Sequence, residues 1–331
     1  MLSVLLGLTG AVVYGAADFL GGVAARRVRA VTVAAVAAAV GLVPLALGAA
    51  AVGATFSGPA VAAGIGAGVS GSVAVLLLYR ALAVGPMSVL SPLTAVFAAI
   101  TPVVVALVGG TVLSLAASIA LVVAVVAVVL VAAVRDTSGA RVTAVGVVTA
   151  GVAGCGFGGI VLAYDAAPSD AGVATLLVGR LVQTVLLGAV VVVVAVRSGS
   201  GRPGPSGRPG GTDHVAPSAS AERSAAGVRR GSRRSDRPRR RGPLGLPRWS
   251  ARTMVAVVAC GVLDALANAC IQAALHVGSG DGVLPVVSVL NALYPIGTVV
   301  LAGVVLRERL TAVQWTGIAL AFAASVGLAL A

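Results

Sequence analysis

A five-residue phrase occurs twice in this chain, each time with the same glycine and prolines around it. Residues 81–85 read ALAVG and residues 274–278 read ALHVG, an offset of 193 residues. The same offset relates Gly68 to Gly261, and it also relates two pairs of prolines, namely Pro92 with Pro285 and Pro102 with Pro295. One offset without a gap indicates an internal duplication. A duplicated unit with prolines inside apolar segments is typical of membrane carriers whose binding site lies between two repeats.

The composition is that of an integral membrane protein. Hydrophobic residues make up 59% of the chain and charged residues 10%, whereas soluble domains carry about 25% charged residues. The apolar runs are long enough to cross a bilayer as helices, and they lack the alternation of barrel strands. We therefore predict an all-α membrane protein with about ten transmembrane helices, over residues 3–25, 30–52, 59–84, 86–109, 112–134, 141–164, 171–196, 252–276, 281–305 and 311–330.

A polar stretch at about 198–250 separates predicted helices seven and eight. Between Arg197 and Arg252 the chain has fourteen Arg and three acidic residues, which is +11 of the total net charge of +13. Gly, Pro, Ser and Arg dominate, so this segment cannot bury enough apolar surface to fold, and we predict a disordered linker. Nucleic-acid binding is one interpretation of its Arg clusters. We favour a cytoplasmic loop that attracts anionic lipid, and expect no nucleic-acid partner.

The other charged loop residues predict the same orientation. With ten spans, the basic loop residues and the linker share one face, and the opposite face carries only acidic loop residues, Asp165, Asp170 and Asp281. The positive-inside rule then predicts that the basic face is cytoplasmic and that both termini are outside, with the protein in the plasma membrane.

The duplicated unit resembles the EamA-type repeat of the drug/metabolite transporter superfamily. The likeness rests on residues 79–82 (YRAL) through Pro102 and residues 272–275 (QAAL) through Pro295, on 306–311 (LRERLT), and on 14–19 (YGAADF). The first copy departs from the pattern, because residues 110–114 read GTVLS where the Glu-Arg signature belongs. The resemblance implies two inverted five-helix repeats, 1–136 and 137–331, the second interrupted by the linker. It also implies transport by alternating access.

Charged residues at membrane depth are the best candidates for a binding site, because a charge in hydrocarbon persists only if it is paired or hydrated. Asp264 lies near the middle of predicted helix eight, Arg180 lies near the middle of predicted helix seven, and Asp18 lies just beyond the midpoint of helix one. We expect Arg180 to pair with Asp264 or Asp18 and to bind a carboxylate-bearing substrate, while the second Asp exchanges a proton. A purely structural ion pair is the alternative.

Uncharged polar residues extend this candidate site. Asp264, Asn268 and Gln272 follow i, i+4, i+8 spacing and define one stripe of helix eight. Asn291 and Tyr294 adjoin Pro295, and Tyr14 lies one turn before Asp18. These residues are expected to bind substrate or protons, with hydrogen bonding between helices as the alternative. We expect kinks that free backbone carbonyls in helices four and nine, at Pro92, Pro102, Pro285 and Pro295.

Nothing in the sequence favours an enzyme. It has no phosphate-binding loop, no dinucleotide fingerprint and no metal-ligand spacing, so we expect neither cofactor nor metal. The three cysteines and the glycine-rich residues 154–159 are interpreted as packing positions. We predict a secondary transporter that exports a small polar metabolite, such as an amino acid. A drug or lipid-headgroup carrier of the same fold, or a membrane protein that docks a partner through its Arg-rich loop, are the alternatives. The sequence leaves open whether the protein forms a homodimer.

Overall fold

In the computed structural model of the protein, residues 1–25, 27–84, 87–132, 143–200, 249–278, 282–294, 296–297, 301 and 311–330 are described. Within these ranges the secondary structure is helical, apart from one isolated antiparallel bridge between Ala54 and Gly172. A 3-10 turn, Ser169–Ala171, precedes the seventh of the α-helices. The α-helices are α1 Leu2–Ala25, α2 Ala30–Val52, α3 Gly58–Val84, α4 Met87–Val108, α5 Leu115–Ala132, α6 Ala144–Asp165, α7 Ala174–Ser200, α8 Ala251–Val277, α9 Val283–Asn291 and α10 Ala312–Leu330.

The helices are those that the apolar runs predict, because helix formation satisfies every internal backbone hydrogen bond in a medium without water. Six of them are long and apolar enough to cross a membrane within the described residues, namely α1, α2, α6, α8, and parts of α3 (Gly58–Leu78) and α7 (Ala174–Arg197). Shorter apolar segments occur in α4 and α5, at Leu93–Val108 and Ser118–Ala127.

Two helix ends differ from the prediction. The run at 281–305 does not form one continuous helix, since α9 ends at Asn291 and a turn follows at Ala292 and Leu293. Pro295, where a further kink is predicted, lies outside the described residues. Helix α7 extends to Ser200, three residues into the predicted linker, whose residues 201–248 are outside the described ranges.

The predicted role of the prolines needs two corrections. Pro285 lies in the first turn of α9, where backbone N–H groups have no acceptor within the helix, so Pro285 removes no hydrogen bond from α9. Pro102 is inside α4 and buried, and it leaves the Ala98 carbonyl without a helical donor. That carbonyl lies against Gly158 of α6, in a helix contact rather than a cavity. Pro92 is also inside α4.

The helices pack in matched pairs. The antiparallel contact of α1 with α8 matches the antiparallel contact of α6 with α3. The parallel contact of α2 with α8 matches that of α7 with α3. The parallel contact of α9 with α1 matches that of α4 with α6. Three further contacts join α2 with α7, α4 with α9, and α5 with α10. Exchanging α1–α5 with α6–α10 therefore converts each of the three matched pairs into its counterpart and leaves each of the three further pairs unchanged.

Duplicated glycines allow two of these contacts to be close. At Gly68, an added Cβ would lie 2.5 Å from the carbonyl oxygen of Gly179 and 2.7 Å from the Cβ of Val182. At its counterpart Gly261, an added Cβ would collide with the Ala37 carbonyl oxygen. The duplicated glycine thus lets α3 approach α7 and lets α8 approach α2.

The glycine-rich residues 154–159 of α6 are packing positions, as predicted. Added Cβ atoms at Gly154 and Gly158 would meet the backbone of α4, and at Gly156 and Gly159 they would meet α3. The Ser70 hydroxyl donates a hydrogen bond to the Gly156 carbonyl over 2.7 Å. Helix α6 is therefore held tightly between α3 and α4, and its Tyr164 has a fixed position at the end of the helix.

Candidate functional site

An ion pair between Arg180 and Asp264 forms the centre of the candidate site. The Arg180 Nη2 contacts Asp264 Oδ2, and the two side chains are 9% and 19% exposed. Arg180 Nη1 also donates a hydrogen bond to Gln183 Oε1 over 2.8 Å. Of the two pairings that the sequence left open, the structure therefore forms the one with Asp264. The guanidinium is held from α7 and α8 at once.

Gly41 of α2 makes room for this ion pair. An added Cβ at Gly41 would lie 3.4 Å from Arg180 Nε and 3.1 Å from the Gly261 carbonyl oxygen. A larger residue would thus push the guanidinium and separate α2 from α8. The absence of a side chain at this position lets Arg180 lie between the two helices.

A chain of hydrogen bonds continues from the ion pair along α8. Asn268 Nδ2 donates to the Asp264 carbonyl oxygen over 2.7 Å, and Tyr164 Oη donates to Asn268 Oδ1 over 3.2 Å. Two turns from Asp264, Gln272 Nε2 donates to the carbonyl oxygen of Gly172 over 3.3 Å. Asn268 and Gln272 are 5% and 3% exposed. The predicted stripe is therefore turned toward the interior, and it connects the ion pair to the loop that precedes α7.

Asp18 lies beside this cluster and is exposed. It interacts electrostatically with Asp264, Tyr14 and Tyr294. On α1 it follows Gly7 and Ala11, both buried, at positions that share one helix face. Gly22, one turn after Asp18 on the same face, is exposed as well, and an added Cβ there would meet nothing within 4 Å, so this end of the face borders an open space. Asp18 is thus the carboxylate that water reaches, whereas Asp264 is covered by Arg180.

Two tyrosines contact each other next to Asp18. The rings of Tyr14 and Tyr294 have centroids 5.6 Å apart and planes inclined by 52°. Asn291, three residues before Tyr294, has a buried Oδ1 with no hydrogen-bond partner in the described part of the chain. The predicted residues of α1 and α9 therefore meet on the same side of the cluster.

The bundle is joined across one end by its loops. The α2–α3 and α6–α7 loops pair at Ala54 and Gly172, where Thr55 N–H donates to the Ala171 carbonyl over 3.1 Å. Gly172 has φ +57°, and an added Cβ would lie 2.5 Å from the Gly53 carbonyl oxygen. We call this end the bridged end. Asp18 lies about 10 Å from Ala25, the C-terminal end of α1, since seven residues at ~1.5 Å each separate them. This end of α1 is opposite the bridged end.

The sequence analysis missed three residues of this arrangement. Gln183 lies three residues after Arg180 on α7, and this i, i+3 spacing is a signal that could have found it. Tyr164 and Gly172 meet Asn268 and Gln272 only through the tertiary fold, so no local pattern reveals them. His276, a further neighbour, contacts the Tyr164 carbonyl through Nε2 over 3.1 Å.

No group of three or more His, Cys, Asp or Glu side chains suited to a metal ion occurs in the ranges that the structure describes. The cluster offers instead two carboxylates, one guanidinium, amides and phenol groups. Such groups bind and orient a polar solute or exchange protons with it.

Comparison with known proteins is consistent with this chemistry. Residues 238–330 match the model of the EamA-like transporter family. No curated protein matches the chain in sequence. A solved structure, titled only as the crystal structure of a protein, is similar to this fold with a TM-score of 0.67 at 15% identity, over 99% of this chain and 96% of that one. This similarity concerns the fold alone.

The EamA family is a transporter family and not an enzyme family, and its helices span the membrane several times. The apolar helices described above agree with that assignment. The C-terminal region of the chain is thus similar to the EamA-like transporter family, and this match indicates an EamA-type transporter of the drug/metabolite transporter superfamily.

Proposed function

We propose that this protein is a secondary transporter that exports a small polar metabolite, amino-acid-like or similar, by alternating access. The observation that carries the proposal is the Arg180–Asp264 pair, enclosed by apolar helices, with the accessible Asp18 beside it. Charges at such depth in a membrane are costly, and they are characteristic of solute and proton pathways. The site residues are those of α1, α7, α8 and α9 described above.

The packing supports an architecture of two inverted five-helix repeats, 1–136 and 137–331. The matched pairs interconvert when α1–α5 exchange with α6–α10. The contacts also give α1 and α6 opposite directions. Helix α1 is antiparallel to α8, which is parallel to α2, and a short loop then reverses the chain into α3, so α3 runs in the same direction as α1. Since α3 is antiparallel to α6, α1 and α6 run in opposite directions. Opposite directions are what an inverted repeat requires.

The loops support a carrier that is closed on one side. Backbone hydrogen bonds join the α2–α3 and α6–α7 loops at the bridged end, while Asp18 is exposed nearer the opposite end. A carrier that works by alternating access has one closed and one open side in each state. We propose that the bridge opens when the other side closes.

The charge distribution supports the placement of the linker. Its Arg residues would be held in the cytoplasm and drawn to anionic lipid of the plasma membrane. The linker interrupts the second of the two proposed repeats.

The test compares the solutes outside cells that express the wild type or Asp264→Asn at matched membrane levels. Asp170→Asn, the same chemical change at an exposed loop position, is the control. We expect a metabolite to accumulate outside cells with the wild type and the control but not with Asp264→Asn. Identical profiles for all three proteins would rule out export through this site.

A further inference from the structure

We propose that the group of the solute that this site recognises is a protonated or quaternary amine, bound by Asp18 beside the rings of Tyr14 and Tyr294. The inference rests on the proposed transport function and names the substrate class for the same site. It replaces the expectation that Arg180 receives a carboxylate.

The first argument is the balance of charge. Arg180 is in contact with Asp264 and also bonds to Gln183, so its positive charge is already compensated. Asp18 adds a second carboxylate near Asp264. With these three groups ionised, the cluster carries one net negative charge. An entering carboxylate would be repelled by Asp18 and would have to displace Asp264 from the guanidinium, whereas an ammonium group would complete the charge balance.

The second argument is access. Asp264 and Arg180 are largely covered, but Asp18 is exposed, at the end of an α1 face whose earlier residues Gly7 and Ala11 are buried. Asp18 is therefore the charged group that a solute meets in this state. A solute can bind it without breaking the ion pair.

The third argument is the kind of side chain around Asp18. Aromatic residues make up only 3% of the chain, and two of its four tyrosines meet where they interact with Asp18. The inclined rings present faces and edges at a centroid distance of 5.6 Å. Cations bind within about 6 Å of a ring centroid, so two tyrosines beside one carboxylate favour an organic cation. The unpartnered Oδ1 of Asn291, close to Tyr294 in the chain, is a further acceptor for an N–H group.

The test measures equilibrium binding of radiolabelled tetraethylammonium to the purified full-length protein, with acetate and urea as anionic and neutral competitors. Variants are Asp18→Asn, Tyr294→Leu and Tyr294→Phe, with Asp165→Asn as the matched control at an exposed helix end. Each variant is first checked for an unchanged elution profile and unfolding temperature.

We expect saturable binding to the wild type that neither competitor displaces. Asp18→Asn should weaken binding about thirtyfold or more, because it removes one partner of a close charge pair. Tyr294→Leu should weaken it about two- to thirtyfold, the range of a cation–ring contact, while Tyr294→Phe and Asp165→Asn retain it. Absence of binding to the wild type, or an Asp18→Asn variant with wild-type affinity, would overturn the proposal.

The outcomes separate this inference from the proposed function. An exported metabolite that has no amine, and whose export survives Asp18→Asn, would refute the amine site and leave the transporter intact. If tetraethylammonium binding depends on Asp18 but the extracellular solutes are identical for wild type and Asp264→Asn, the amine site is supported and export through it is refuted.

Discussion

Arg180, in the second turn of α7, reaches the carboxylate of Asp264 at the midpoint of α8. This contact brings opposite charges together inside apolar surroundings, and it joins two helices that the Arg-rich linker separates in sequence. Two neighbours, Gln183 and Asn268, bond to the partners of the pair. The pair therefore stabilises the fold as well as supplying charge to the site.

Arg180→Ala should destabilise the protein by about 3–5 kcal/mol, because it leaves a buried carboxylate uncompensated. Arg197→Ala, at the exposed end of α7, is the control and should change stability little. Chemical unfolding of the purified protein measures both. A double variant, Arg180→Met with Asp264→Leu, should regain stability without regaining export. If Arg180→Ala and Arg197→Ala changed stability by the same amount, the structural role of the pair would be contradicted.

Tyr164→Phe should destabilise the protein by about 1–3 kcal/mol, because Asn268 loses the hydroxyl that donates to its Oδ1 in a buried environment. The coupling is measured with a double-mutant cycle that adds Asn268→Leu. If the hydrogen bond exists, the two changes together cost less than the sum of the single changes. Strict additivity would show that the residues do not interact.

Gly68→Ala should destabilise the α3–α7 contact by about 1–3 kcal/mol, as added volume does in a packed interior. Gly188→Ala on α7 is the matched control, since an added Cβ there meets nothing within 4 Å. The control should be neutral or stabilising by up to ~1 kcal/mol, given the higher helix propensity of alanine. Unfolding temperatures compare the two variants. A tolerated Gly68→Ala would mean that the helices are further apart than described.

Gly172→Ala should weaken the bridged end, because alanine disfavours φ +57° and its Cβ would collide with the Gly53 carbonyl. The Thr55 amide, which bonds to the Ala171 carbonyl, should then exchange its hydrogen faster. Gly58→Ala, at the start of α3 with open space around it, is the control. Hydrogen exchange of the peptide covering residues 53–57 reports the result. Unchanged protection would show that Gly172 does not hold the two loops together.

Deletion of residues 201–247 should leave export at the wild-type rate, because the site residues of α1, α7, α8 and α9 lie outside the linker. The measurement is the extracellular level of the exported solute at matched membrane expression. If the deletion variant inserted correctly into the membrane but no longer exported the solute, a protein that docks a partner through its Arg-rich loop would be favoured instead.

The helices were predictable to within a few residues because long apolar runs have one stable conformation in a membrane. The exception is the run at 281–305, which the turn after Asn291 interrupts. Charged residues in such runs are conspicuous, so Asp18, Arg180 and Asp264 could be chosen from the sequence alone. Which carboxylate pairs with Arg180 depends on the approach of α2, α7 and α8. Local sequence patterns do not encode that approach.

The partners of the α8 stripe were beyond sequence reasoning for a related reason. Tyr164 and Gly172 lie about a hundred residues from Asn268 and Gln272, with the linker between them. The close packing of α6 between α3 and α4, together with contacts to α8, positions Tyr164 at the end of its helix. No periodicity or motif in the chain signals that arrangement.

The duplicated glycines also show where the two copies have diverged. At the offset that relates Gly68 to Gly261, Asp264 corresponds to Gly71, where an added Cβ would meet Gln183 and Ile160. One half thus carries a carboxylate at this position, and the other half has a closely packed glycine there. Two identical halves would make the inward and outward conformations equal in energy by symmetry. Because the equivalent positions differ, the two conformations of the proposed carrier would differ in energy even without a bound solute, and one side would be its resting side.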